Sequence, residues 1–160
     1  MRLERVGYGH PDVLSLVERV QAFYADRYGT PDATPLDPSM FEPPEGSFYV
    51  GYDDVDRSSV PVATGAWRRS TVEVFGTART AEIKRMYVVP EAQRRGLARR
   101  MLAHLEASAA AAGVEAMVLE TGVMQPEAIE LYLSSGYQPV PGFGYYLGSP
   151  HSRCFGKDLR

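Results

Sequence analysis

Apolar and polar positions alternate with changing period along the chain, and the period marks the elements. Val13, Leu16, Val17, Val20 and Tyr24 recur at helical spacing, which predicts a helix over 11–29 with Pro11 at its first turn and Gly29 as its stop. Residues 30–46 hold five prolines and read as a loop with one short helical turn. That length exceeds an ordinary connection and points to a functional loop. SFYVGY at 47–52 and VPVATGAWRR at 60–69 read as strands around a turn region at 53–59, and Gly65 marks a bulge. AEIKRMYVV at 81–89 is a third strand, closed by Pro90. Leu97, Met101, Leu105 and Ala109 stand four apart in a helix from Gly96 to Ala112, which Gly113 ends. EAMVLET at 115–121 is an apolar strand, and residues 126–135 form a short helix between Pro126 and Gly136. Final strands fall at 137–140 and 153–159. Hairpin-connected strands together with a strand–helix–strand crossover make a mixed α/β sheet.

Composition narrows the class. The chain of 160 residues suits one domain over 1–160, with 44% hydrophobic and 23% charged residues, ordinary for a protein that builds a core without staples. The single cysteine, Cys154, rules out an internal disulfide, and His10, His104 and His151 make no metal-ligand spacing. No metal is expected. The start of the chain carries no apolar run of signal-peptide length, and no stretch approaches the roughly 20 apolar residues of a membrane span. A cytoplasmic protein without a membrane partner is expected.

Net charge is −3, which disfavours general nucleic-acid binding. The basic run RRGLARR has no interleaved aromatics, which disfavours it further. The charge is nevertheless uneven. Arg79, Lys84, Arg85, Arg94, Arg95, Arg99 and Arg100 face only Glu82 and Glu91 within 79–100. Inside this run a strand ends and a helix begins at Gly96. A helix start offers unpaired N–H groups and the positive end of the macrodipole, and the small Gly96 and Ala98 let an anion approach the backbone. Solvated arginines on a plain strand–helix turn would look the same in isolation. No Gly-Lys-Ser/Thr follows Gly96, so the turn is not of the Walker type.

Context separates the two readings. Gln93-x-x-Gly96-x-Ala98 resembles the Q/R-x-x-G-x-G/A signature of the GNAT acetyltransferases. It follows a strand beginning Ala81-Glu82-Ile83 and precedes a helix of fitting length. Leu119-Glu120-Thr121-Gly122, Gln125 to Ile129, Leu131-Tyr132 and Gly136-Tyr137 are similar to the family's second block. The two blocks occupy residues 81–137 in the family's order.

The resemblance implies a GNAT fold: one mixed sheet of about six or seven strands, splayed near Val88 and Thr121, with about four flanking helices. It implies acetyl-CoA as cosubstrate. Its pyrophosphate would sit on the backbone of Arg94, Arg95, Gly96, Leu97 and Ala98, beside Arg99, with help from the side chains of Gln93 and Arg94. Its pantetheine arm would run along Met86, Tyr87 and Val88, and an N–H near Tyr87 or Val88 would receive the thioester oxygen. Gln125 stands where many members have asparagine, and it keeps the amide on a longer arm. Tyr132 matches the tyrosine that faces the cofactor sulfur and can protonate the leaving thiolate. Glu82 holds the place of a general base in several members. Glu120 is a second candidate, and water a third.

The family's acceptor surface corresponds here to residues 30–46 and about 138–152. The first carries Asp32, Asp37, Glu42 and Glu45, and the second Phe143, Tyr145 and Tyr146. Acids with aromatics suit a cationic amine. The leading reading is an N-acetyltransferase acting on a small primary amine by direct attack in a ternary complex. A protein or peptide amine is the alternative acceptor, and a catalytically silent acyl-CoA-binding module the alternative class. The resemblance also leaves room for a homodimer.

Overall fold

The computed structural model describes residues 1–160. Seven strands form one sheet: β1 (Arg2–Arg5), β2 (Gly46–Val55), β3 (Ser58–Ser70), β4 (Thr80–Val88), β5 (Ala116–Gly122), β6 (Gln138–Pro139) and β7 (Ser152–Asp158). Their spatial order is β1-β2-β3-β4-β5-β7-β6. Three α-helices accompany them: α1 (Pro11–Tyr28), α2 (Leu97–Ala111) and α3 (Pro126–Ser134). No helix is long and apolar enough to cross a membrane.

The helix count is three rather than about four. The chain between α1 and β2 forms only a 3-10 turn, Pro38–Phe41, capped by Asp37. Its prolines remove N–H donors and bar longer helix. The seventh strand is β1, whose RLER carries no apolar alternation long enough to read as a strand. It holds its place by backbone pairing, with Arg2 opposite Tyr52 and Arg5 opposite Tyr49. The hairpin between β2 and β3 is tighter than the turn region 53–59 suggested. Asp56 and Arg57 both take positive φ, the conformation of a two-residue hairpin turn whose twist suits the strands.

Gly65 lies in β3, but the extra residue of the bulge is on β4. Thr64 pairs with Tyr87 and Ala66 with Lys84, so Gly65 faces both Arg85 and Met86. Arg85 takes φ 54° there. The absence of a side chain at Gly65 serves packing instead, because a Cβ would stand 2.6 Å from the side chain of Met101 on α2. Tyr49 and Trp67 share this face and both hydrogen-bond Ser108 of α2, at 2.6 and 3.0 Å. Phe48, on the alternate face, packs edge-on against Tyr8 and Phe41. The α2 stripe Leu97, Met101, Leu105 and Ala109 is buried against the sheet.

The one parallel pair positions the site. β4 and β5 pair only from Thr80–Ala116 to Glu82–Val118. Beyond Glu82 the strands part, while β4 stays paired with β3 and β5 with β7. The sheet therefore opens at its middle without losing either half.

Candidate active site

On the β4 side of the opening, the turn between β4 and α2 is built to receive an anion. Arg94 and Gly96 both take left-handed conformation, with φ 62° and 74°. Such alternation curls successive N–H groups toward one point. The N–H groups of Arg94, Arg95, Gly96, Leu97, Ala98 and Arg99 have no acceptor in the protein. A Cβ at Gly96 would meet nothing within 4 Å, so the space before it is open. These observations fit a pyrophosphate on the α2 N-terminus.

The side chains around this turn divide. Arg94 is exposed and has no protein partner, which leaves it to an incoming phosphate. Gln93 instead turns back, and its Nε2 donates to the Val88 carbonyl at 3.0 Å, strapping the turn to β4. Arg95 pairs with Asp53 of β2 at 2.5 Å. Arg99 reaches the hydroxyls of Ser134 and Ser135 at the end of α3. Sequence alone could not separate Arg95 and Arg99 from Arg94, because their partners are remote in the chain. Glu91 adds a bidentate pair with Arg19 of α1, at 2.9 and 3.0 Å, which pins the turn from the other side.

Val89 donates its N–H to Val62 of β3. By the alternation of an antiparallel ladder, the N–H of Val88 then points away from β3 and into the opening. Tyr87 pairs with Thr64 toward β3. Of the two backbone positions expected near the thioester, Val88 is the one whose donor faces the gap. Met86 packs at the margin of the core.

Tyr132 is the one buried residue of α3. Its ring meets Tyr137 edge-on at 5.7 Å. Its hydroxyl makes no hydrogen bond with the protein, yet it is not sealed off as the Tyr137 hydroxyl is. Burial, with a smaller contribution from Tyr24, pushes its pKa well above the ordinary phenol value. The group stays protonated at neutral pH and remains available as a donor.

A cleft of about 270 Å³ adjoins the opening, lined by residues from α1, the 30–34 loop, β4, β5 and the 146–152 segment. Glu120 of β5 faces it. Its Oε2 accepts from Ser152 at 3.1 Å, and its Oε1 has no partner. Burial raises its pKa, which Ser152 and Lys84 only partly offset. Glu82 does not line the cleft. It is 6% exposed and held between Arg68 at 3.0 Å and Lys84 at 3.3 Å. Its carboxylate is engaged by both cations, the geometry of an anchor.

Of the acidic loop residues, only Asp32 reaches the cleft; Asp37 caps the 3-10 turn, and Glu42 and Glu45 are exposed elsewhere. Asp32 accepts from the N–H and hydroxyl of Thr34, from the Tyr146 hydroxyl and from Arg85. Burial alone would raise its pKa, but these donors and the Arg85 charge outweigh it and hold the carboxyl at about 2. Tyr146 joins Asp32 in the cleft, while Phe143 and Tyr145 do not line it. Tyr28 stands against Gly122, where a Cβ would lie 1.9 Å from its hydroxyl, and it accepts from Gln125 at 3.2 Å. Gln125 thus lines the cleft rather than the phosphate turn.

Arg85, Tyr24 and Tyr28 have no place among the site residues read from sequence. Adjacent Lys84 and Arg85 inside the strand were the available sign, since neighbours in a regular strand face opposite sides of the sheet and two charges in succession put one of them toward the covered face.

A sheet split at its parallel pair, with an open anion turn on one lip and a cleft carrying Glu120 beside the gap, fits an acyl-CoA-dependent transferase. Comparison with known proteins agrees. The model of the acetyltransferase (GNAT) family matches residues 14–137, and the chain belongs to that family. It is 34% identical over 147 residues to an IAA acetyltransferase of Azospirillum brasilense, covering 92% of this chain and 90% of the relative. Its fold matches a Klebsiella pneumoniae chain assigned to the acyl-CoA N-acyltransferases with a TM-score of 0.78, at 24% identity and 99% and 97% coverage. It also matches a Bacillus subtilis acetyltransferase in complex with CoA, with a TM-score of 0.67 at 12% identity and 99% coverage of both chains. The protein is an acetyltransferase, and acetyl-CoA is its cosubstrate.

Proposed function

We propose that the protein transfers the acetyl group to a small-molecule primary amine bound in the cleft beside the sheet opening. The observation that carries this reading is the Glu120 carboxylate, with one oxygen unpartnered and facing a bounded cleft of about 270 Å³. A cleft of that size, lined by the 30–34 and 146–152 segments, suits a small acceptor better than a peptide chain, which needs an extended groove.

The chemistry assigns a task to each group. An amine with a reference pKa near 10 arrives almost wholly as ammonium. Glu120 removes one proton, and its burial-raised pKa brings it closer to the pH at which it works. The freed nitrogen attacks the thioester carbonyl, forming the N–C bond. The Val88 N–H steadies the negative charge that gathers on the carbonyl oxygen. The C–S bond then breaks, and Tyr132 gives its proton to the departing sulfur. The second proton leaving the nitrogen returns, through solvent, to Tyr132. Arg94 and the free N–H groups of 94–99 hold the phosphates throughout.

Incubation with acetyl-CoA and a panel of small amines, read by thiol release and by mass of the acetylated product, tests this. Amine-dependent release with an acetylated small molecule is expected. Thiol release only with peptide or protein amines would replace the acceptor assignment. Tight CoA binding without turnover would favour a silent binding module.

A further inference from the structure

The cleft holds two carboxylates, but only one has an oxygen without a partner. Asp32 receives four hydrogen bonds: 2.9 and 2.7 Å from Thr34, 2.8 Å from Tyr146 and 2.8 Å from Arg85. Its charge is matched by Arg85, which is buried behind it. Three of the bonds fall on Oδ1 and Arg85 takes Oδ2, so an ammonium group arriving there would find both oxygens engaged and the charge already matched. Glu120 Oε1 is the remaining free carboxylate oxygen, and one such oxygen serves one amine.

Donors, in contrast, are in surplus. The Tyr24 hydroxyl has no hydrogen-bond partner, although it lines the cleft. The Tyr28 hydroxyl accepts from Gln125 and has its own proton to give. Lys84 lines the cleft and keeps spare N–H donors beyond its contact with Glu82. A site with one unpartnered carboxylate oxygen for an amine and several unspent donors, one of them cationic, asks for an anionic oxygen group on the same ligand.

We infer that the acceptor is an amine that also bears a carboxylate, an amino-acid-like molecule, and that Lys84 and the phenols of Tyr24 and Tyr28 receive that carboxylate while Glu120 faces the amine. The inference rests on the transferase reading above. It disfavours polyamines, whose second ammonium would meet Lys84 and a carboxylate already matched by Arg85, and plain alkylamines, which leave the donors unused.

The test compares matched acceptors, an amino acid and its carboxamide with the same side chain, alongside a polyamine and an alkylamine of similar length. Wild type should favour the carboxylate of the matched pair by about tenfold or more in kcat/KM, as expected for a charge-assisted contact. In Lys84→Gln that preference should collapse to within about threefold, with the KM for acetyl-CoA unchanged. Tyr28→Phe should raise the KM of the carboxylate acceptor more than that of its amide. A polyamine or alkylamine turned over faster than every carboxylate-bearing amine would overturn the inference and leave the transferase reading intact. An unchanged preference in folded Lys84→Gln would also overturn it. Absence of turnover with every amine, in a protein that binds CoA, would bring down both readings together.

Discussion

Arg85 on the β4 bulge donates to Asp32 in the loop after α1 at 2.8 Å, across 53 residues of sequence. The contact ties the acceptor side of the cleft to the strand that borders the opening. The backbone of Asp32 is fixed as well, since it exchanges two hydrogen bonds with the Gln21 side chain of α1. Tyr146 completes the tie, donating to Asp32 and accepting from the Ala33 N–H. Arg85→Met removes one half of a buried ion pair and should cost about 3 kcal/mol in a denaturant titration. The sign of the pH effect follows from the depressed Asp32 pKa. Its contribution is complete above the ordinary carboxyl value of 3.8 and fades as pH falls toward about 2. Acid unfolding of wild type should steepen across that window, and Asp32→Asn should flatten it.

The phosphate turn gives a binding prediction. Gly96→Glu puts a negative charge, at a strained φ, in the open space before the α2 N-terminus. Like charges in such contact cost several kcal/mol, so CoA affinity should fall by about 100-fold or more. Arg94→Ala should lose about tenfold, the worth of a charge-assisted hydrogen bond. Arg95→Ala, whose side chain is held by Asp53, should lose far less. Calorimetric titration with CoA reads all three.

Tyr132→Phe separates chemistry from packing. The ring stays against Tyr137, and the lost hydroxyl leaves no protein partner unsatisfied. Stability should therefore change by less than about 1 kcal/mol. The rate kcat should fall by about 10²–10⁴-fold with CoA affinity nearly constant. A large loss of stability with an unchanged rate in the folded protein would assign the residue to packing instead.

Glu120 and Glu82 make opposite predictions. Glu120→Gln should lower kcat by about 100-fold and abolish the rising limb of the pH–rate profile. In wild type that limb should lie above the ordinary carboxylate range, because burial raises Glu120. Glu82→Gln should chiefly lower thermal stability, because it leaves Arg68 and Lys84 short of their shared anion.

Local features were legible in the sequence, and remote pairings were not. The Gln93–Ala98 turn, the α2 stripe and the order of strands follow from spacing and from residues that only certain backbones accept. The edge strand β1 was hidden because its four residues are mostly exposed and its pairing with β2 comes from the backbone. The proline-rich 30–46 segment gave its loop character but not the single acid that enters the cleft. Asp32 is distinguished from Asp37 by the distant Arg85 and Tyr146, and no local pattern encodes that. Glu82 matched a base by position, but its two cationic partners stand beside it in the fold, one of them on the neighbouring strand. Glu120 was visible as a candidate; its free oxygen was not.

The most direct measurement is thiol release from acetyl-CoA by wild type and Glu120→Gln across pH, with a small carboxylate-bearing amine as acceptor and product mass recorded. The account predicts amine-dependent release by wild type, an acetylated small molecule in equal amount, and a pH-dependent loss in Glu120→Gln with CoA binding preserved. Equal rates and equal pH profiles in the two proteins would contradict it.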